Sequence, residues 1–217
     1  MTERPILFSG PMVRAILEGR KTVTRRVVTV PWRGTQRALP YEPYWFDRDG
    51  KLVACDDGGK YWPAESVLKP YGAPGDRLWV RETWALAQRN HWPDLPHVIP
   101  VGAGKPDGCV YFRASFDRAP SGLRWRPSIH MPRWASRLSL EVVSVRVERL
   151  QEISDEDARA EGVTPEDGPS GFLALKHHDP TTPRGAFGML WEYINGKRAP
   201  WASNPWVWRI EFKRLPE

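Results

Sequence analysis

The segment Leu138–Leu150 constrains the fold more than any other part of this chain. Its apolar residues run Leu138, Leu140, Val142 and then change phase to Val143, Val145, Val147. Period-two alternation marks a strand with one face on a core. A phase slip in mid-strand predicts a β-bulge, a device that bends a strand so that a sheet can curl toward a barrel. A long bent strand needs neighbours, and the rest of the chain supplies short ones.

Pro5–Ser9 reads as a short apolar strand, Pro11–Glu18 as a helix with proline at its start, and Thr22–Val28 as a strand. Residues 31–75 read as a long irregular insertion, with a hairpin of Tyr44–Phe46 and Lys51–Ala54 turning at Asp49-Gly50. Arg77–Trp84 and Cys109–Ala114 are predicted strands. Ser154 caps a predicted helix Asp155–Glu161 that Gly162 ends. Phe187–Ile194 is a second such helix and Trp206–Lys213 a closing strand. The expected fold is mixed α+β: one domain over residues 1–217, a β-barrel with short flanking helices and long insertions around 31–75, 86–108 and 164–183. Long loops on a barrel usually wall or cover a site. With 41% apolar residues in 217, the chain can build one sizeable core, and 22 prolines and 18 glycines stay below the share that signals disorder.

Composition also excludes function classes. No apolar run reaches the ~18–20 residues of a membrane helix, and no signal pattern opens the chain, so no membrane partner and a reducing cytoplasm are expected. Cys55 and Cys109 lie far apart and outside any Cys-x-x-Cys pattern, and His177-His178 has no further ligands at metal spacing. Neither a metal nor another cofactor is expected. The net charge is +6, and residues 1–35 hold seven Lys/Arg against Glu3 and Glu18. That local field favours an anionic or nucleotide-like partner, although a basic surface also serves solubility.

The charge centres on Gly19-Arg20-Lys21-Thr22-Val23-Thr24-Arg25-Arg26, where a helix hands over to a strand. Gly19 suits the helix C′ position because it accepts positive φ. Such turns are common places for chemistry, and solvated basic turns are common too. Downstream, Leu78, Val80, Glu82 and Trp84 alternate onto one strand face. Glu82 therefore sits among apolar neighbours if that face is inward, and burial would raise its pKa. The residues alone favour a structural ion pair with an arginine of the 25–26 turn, or inverted faces that turn Glu82 to solvent. Twelve tryptophans are present, most expected in the core, as for Trp79, Trp134 and Trp191. Trp84 and Trp206, at strand ends, are candidates to stack on a base. Tyr111, Arg113 and His130 are further candidates to line a pocket.

Gly19-x-Lys21-x-x-Thr24-x-Arg26 resembles the signature turn of the ASCH superfamily, small β-barrel domains related to the PUA fold. Much of that superfamily has Glu where Thr24 stands. The threonine form is similar to a branch of small amidohydrolases that remove acyl groups from the exocyclic amine of N4-acetylcytidine. Gly75–Trp84 resembles the second conserved strand, and Trp125–Gly162 and Asn204–Phe212 resemble larger phage- and prophage-associated members. The resemblance implies metal-free amide hydrolysis of a small nucleoside. Thr24 is then the nucleophile and Lys21 its base, the amine pKa depressed by burial and by neighbouring arginines. Glu82 holds the cytosine edge or moves a proton, and Arg26 steadies the oxyanion. Lys21 and Thr24 lie on opposite faces of a regular strand, so the turn must bend at Thr22; a water nucleophile fits the sequence equally well. A non-catalytic RNA or modified-nucleotide reader and a ribonuclease are the competing readings.

Overall fold

The computed structural model describes residues 1–28, 71–87, 108–163 and 181–216, and the backbone of four short strands between them. Most of the three expected insertions, including the Asp49-Gly50 turn, lies outside the described residues.

The main sheet is built from β1 (Glu3–Leu7), β2 (Val23–Val27), β6 (Arg77–Arg81), β10 (Ser139–Arg149) and β11 (Trp206–Arg214), in the order β1-β6-β10-β11-β2. β1 runs parallel to β6, and the other three pairings are antiparallel. The molecule is thus mixed α/β with few helices. β3 (Tyr44–Phe46), β4 (Leu52–Cys55) and β5 (Tyr61–Pro63) make a three-stranded antiparallel sheet, containing the expected hairpin and one strand more. β7 (Trp84–Ala87), β8 (Ile99–Pro100) and β9 (Cys109–Phe112) make another, ordered β7-β9-β8.

The bulge expected in the long strand is present: pairing with β11 shifts between Val142 and Ser144. Before it Leu138, Leu140 and Val142 enter the core; after it Val145 and Val147 pack against the same core. The slip keeps both halves facing inward. β1 and β2 are the two sheet edges, and the described backbone shows no pairing between them. Side chains bridge the gap instead, with an Arg26 guanidinium N–H donating to the Leu7 carbonyl. The Arg26 Cζ also lies 5.2 Å from the centre of the Phe8 ring.

Both faces of the sheet are covered. On one, α1 (Gly10–Leu17) packs Val13 and Ile16 against Ile6, Phe8, Leu78, Val80, Trp208, Ile210 and Phe212. On the other, α2 (Asp155–Ala160) and α3 (Pro183–Asn195) pack Ala158, Phe187 and Trp191 against Val207. Ser154 caps α2 by accepting from the Asp157 N–H, as expected. α3 begins earlier than Phe187 because Thr182 caps it and Pro183 takes the first turn.

Two expected strands end differently. Arg77–Trp84 is not one strand: it breaks at Glu82-Thr83, and Trp84 opens β7 in the other sheet, held by reciprocal backbone bonds to Arg126 of 3.2 and 2.7 Å. Cys109–Ala114 stops at Phe112, because Arg113–Ser115 turns into a 3₁₀ helix. β1 starts at Glu3 rather than Pro5, pulled into register by Arg77; Pro5 is tolerated on that edge, where a missing N–H need not pair.

Gly162 locks α2 to the α1–β2 turn. Its φ is +81°, and a Cβ there would lie 2.8 Å from Ala15 Cβ and 2.9 Å from Lys21 Cβ. Gly19 shares the positive φ, +76°, but faces open space. Gly19→Ala is expected to cost about 1 kcal/mol from backbone strain alone, and Gly162→Ala at least twice that. Urea-unfolding midpoints of the two variants check this; equal losses would mean the close approach at Gly162 contributes nothing.

Candidate functional site

The helix-to-strand turn is assembled by backbone bonds that leave Lys21 pointing inward. Gly19 N–H donates to Ile16 O at 3.1 Å and Lys21 N–H to Ala15 O at 3.0 Å, closing α1. Thr22 N–H then donates to Ala160 O at 2.9 Å, so the chain leaves the helix against the end of α2. Lys21 pairs with Glu161 as an isolated bridge.

Lys21 is buried, and its ammonium meets three acceptors: Val23 O at 2.7 Å, Glu161 O at 2.9 Å and Glu161 Oε2 at 2.6 Å. Burial holds the amine below its ordinary pKa; Glu161 opposes this, and Arg26 and Arg25 add to it. The direction is the one the sequence suggested, but Glu161 is a partner that sequence reasoning missed. A signal existed. Asp157 and Glu161 are spaced i,i+4, which puts two carboxylates on one helix face.

Glu161 faces two cations. Its Oε1 accepts from Arg25 Nη1 at 3.3 Å, and Arg25, with a fully buried side chain, also meets Glu148 at 2.7 Å and Asp157 at 2.8 Å. Arg146 joins Glu148, while Arg209 joins Asp157 and Glu211. Four cations thus meet four carboxylates on the α2 side of the sheet.

Thr24 and Arg26 take the opposite face of β2, beside Ile210 and Trp208 of β11. Thr24 is buried among core residues. Arg26 has no carboxylate partner among the described residues, and its Nε is buried without a hydrogen bond. Burial lowers the Arg26 pKa, with Tyr71 and Glu161 close enough to act against that. Phe8 links these groups, its ring centre 5.7 Å from Lys21 Nζ as well as beside Arg26.

Glu82 is buried as its alternation suggested, but its ion pair is not with the 25–26 turn. Arg137 grips both oxygens, Nε on Oε1 at 2.9 Å and Nη2 on Oε2 at 3.0 Å, and donates again to Ser115 Oγ at 2.9 Å. Burial pushes the Glu82 carboxyl up, with Arg137 pulling against it. Arg137 stands 55 residues away, so no local pattern announces it. Among the described residues no hydrogen bond joins any two of Lys21, Thr24 and Glu82. Phe8 is tied through the backbone to the residue before Glu82, its N–H donating to Arg81 O at 3.1 Å.

The remaining candidates are dispersed. Trp84 is 2% exposed, with Trp134 edge-on at 5.9 Å and the Arg126 Cζ 5.0 Å from its ring centre. Trp206, half-buried, lies under the Arg149 guanidinium at 4.2 Å. Tyr111 is buried in the β7-β9-β8 sheet, where burial raises its pKa. Arg113 donates to Phe116 O. His130 is exposed, at the rim of a groove of about 380 Å³ lined by Arg124, Trp125, Arg126 and Pro127. Among the described residues no cluster of His, Cys, Asp or Glu is placed to hold a metal ion, and no helix is long and apolar enough to cross a membrane.

No family model, curated protein or solved structure matches this chain.

The Asp157 carboxyl shows what the ion network contributes. Desolvation raises its pKa, but the Arg209 hydrogen bond and the charges of Arg25 and Arg209 outweigh that and hold it below 3.8. A carboxyl depressed on folding adds stability that is present above its unfolded pKa and lost as pH falls through the folded one. The stability gap between wild type and Asp157→Asn is therefore expected to be constant near neutrality and to close in acid below about 3.8. Urea midpoints measured from neutral pH downward check it; a gap independent of pH would show that charge is not what Asp157 supplies.

Proposed function

We propose that the protein is a cytoplasmic amidohydrolase of the ASCH kind, its curled five-stranded sheet serving as the PUA-like barrel, and that it removes acyl groups from the exocyclic amine of N4-acylated cytidine. One observation carries the reading. A fully buried lysine, held 2.6 Å from a buried carboxylate, shares its turn with a buried threonine and an arginine that has no carboxylate partner among the described residues. A half-buried cation that meets a carbonyl but no carboxylate favours the approach of something negative. A developing oxyanion is such a group.

In this reading the resting Lys21 ammonium passes a proton to Glu161 Oε2, leaving a neutral amine with a lone pair. Thr24 Oγ1 attacks the amide carbon while a water molecule relays its proton to that amine, and the carbonyl electrons move to an oxyanion facing Arg26. Collapse breaks the C–N bond, and the proton goes to the leaving exocyclic nitrogen. Water then cleaves the threonine ester, releasing a carboxylate. Glu82, gripped by Arg137, positions the cytosine edge rather than shuttling the proton. A water molecule can replace Thr24 as nucleophile, with Lys21 steadying the oxyanion.

A second reading rests on a different observation: all three Lys21 ammonium protons already have acceptors. A lysine so occupied suits a rigid binding turn that reads a modified nucleotide without turnover.

Purified protein, treated with chelator, is expected to release acetate and cytidine from N4-acetylcytidine. Thr24→Ala and Lys21→Arg are each expected to lower kcat by about 100-fold or more, since a guanidinium is no base at neutral pH. Glu82→Gln is expected to raise KM with kcat nearly unchanged, the mark of positioning. Circular dichroism must first show wild-type folding for each variant. Full activity in Thr24→Ala sinks the nucleophile assignment and leaves water; absence of wild-type turnover leaves the binding reading.

A further inference from the structure

The stretch from Arg113 to Arg137 carries six arginines against a single acid, Asp117. Three have partners already described or close by: Arg137 holds Glu82, Arg133 holds Glu3 at 2.7 Å, and Arg113 caps Phe116. Asp117 leans 3.9 Å from Arg14, on α1. Arg118, Arg124 and Arg126 are exposed, and among the described residues none has a carboxylate within ion-pair range. Two of them, Arg124 and Arg126, flank the half-buried Trp125 in the groove of about 380 Å³ that Pro127 and His130 complete.

This groove is fastened to the fold. The two backbone bonds between Trp84 and Arg126 fasten its floor to β7, and the Arg126 guanidinium lies over the Trp84 ring. The Trp125 ring is braced on one side by Phe116, at 6.2 Å and 62°. Two exposed arginines flanking a partly open indole, with Arg118 two residues beyond the Phe116 that braces it, fit phosphates and a flat base, because arginines neutralise the backbone and an aromatic face stacks any base.

We propose that this face binds a single-stranded polynucleotide, with phosphates on Arg118, Arg124 and Arg126 and a base against Trp125. The proposal deepens the reading above and rests on it for one consequence: the acylated cytidine would be presented as part of a strand. Binding of the strand itself needs no chemistry, so the two are tested apart.

Fluorescence anisotropy with a labelled oligocytidine RNA of about ten nucleotides is the measurement. Three phosphate contacts on a single strand give a salt slope near −2, so affinity is expected to fall about 20-fold between about 50 and about 200 mM salt. Arg118→Ala combined with Arg124→Ala alters only exposed side chains; it is expected to weaken binding about tenfold and flatten the slope to about −0.7. Turnover of free N4-acetylcytidine by that variant is expected to equal wild type. A poly-glutamate peptide that competes as well as RNA overturns the proposal in favour of an acidic protein partner. Absence of binding at low salt, or a double variant that binds like wild type, overturns it outright.

Discussion

The 2.6 Å pair between Lys21 Nζ and Glu161 Oε2 is the interaction on which the rest of this structure depends. It joins the end of α2 to the turn between α1 and β2, two places 140 residues apart in sequence. Taking both charges from water costs several kcal/mol per ion, and Coulomb attraction alone seldom recovers it. The recovery here is by numbers: the ammonium has three acceptors, and the carboxylate also faces Arg25. Removing one partner from such an arrangement typically costs about 3–5 kcal/mol, because the other charge stays buried alone. A pair so expensive to break fixes where β2 begins, and with it the face on which every later residue of that strand points.

That geometry explains why the charged side chains of this turn are divided between two sides of one strand. Arg25 and Arg26 are adjacent, so they face opposite ways. Arg25 meets three carboxylates from β10 and α2, and is spent on structure. Arg26 turns toward Phe8 and Trp208, where the described elements offer a backbone carbonyl but no carboxylate. The same alternation places Thr24 with Arg26. The side of β2 with balanced charge holds the fold, while on the other side Arg26 meets a backbone carbonyl and the Phe8 ring.

Much of this was legible from residue patterns, and what was not has a physical cause. The bulge at Val142–Ser144, the Ser154 cap and the Gly19 turn were all readable, because each is a local rule written in neighbouring residues. Burial of Glu82 followed from period-two alternation through Leu78 and Val80. Its partner did not, since an ion pair spanning 55 residues depends on how β6 and the Arg133–Ala135 turn pack, which no window of sequence contains. Continuing the alternation to Trp84 failed for a related reason: the backbone breaks after Arg81 so that Trp84 can bond to Arg126 in another sheet.

Glu82 shows how such a long-range partner alters a functional argument. A carboxyl alone on an apolar face would be driven toward its neutral form and be ready to donate a proton. Arg137 changes that by occupying both oxygens in a fork, a geometry that fits the ionised carboxylate. The same guanidinium lies 4.2 Å from the centre of the Phe112 ring and bonds Ser115, so it is held in place from three sides. Proton transfer through Glu82 would have to undo that fork, whereas positioning through Glu82 uses it. The fork therefore favours a fixed negative charge at the end of β6, satisfied by Arg137 rather than by the cations of the α1–β2 turn.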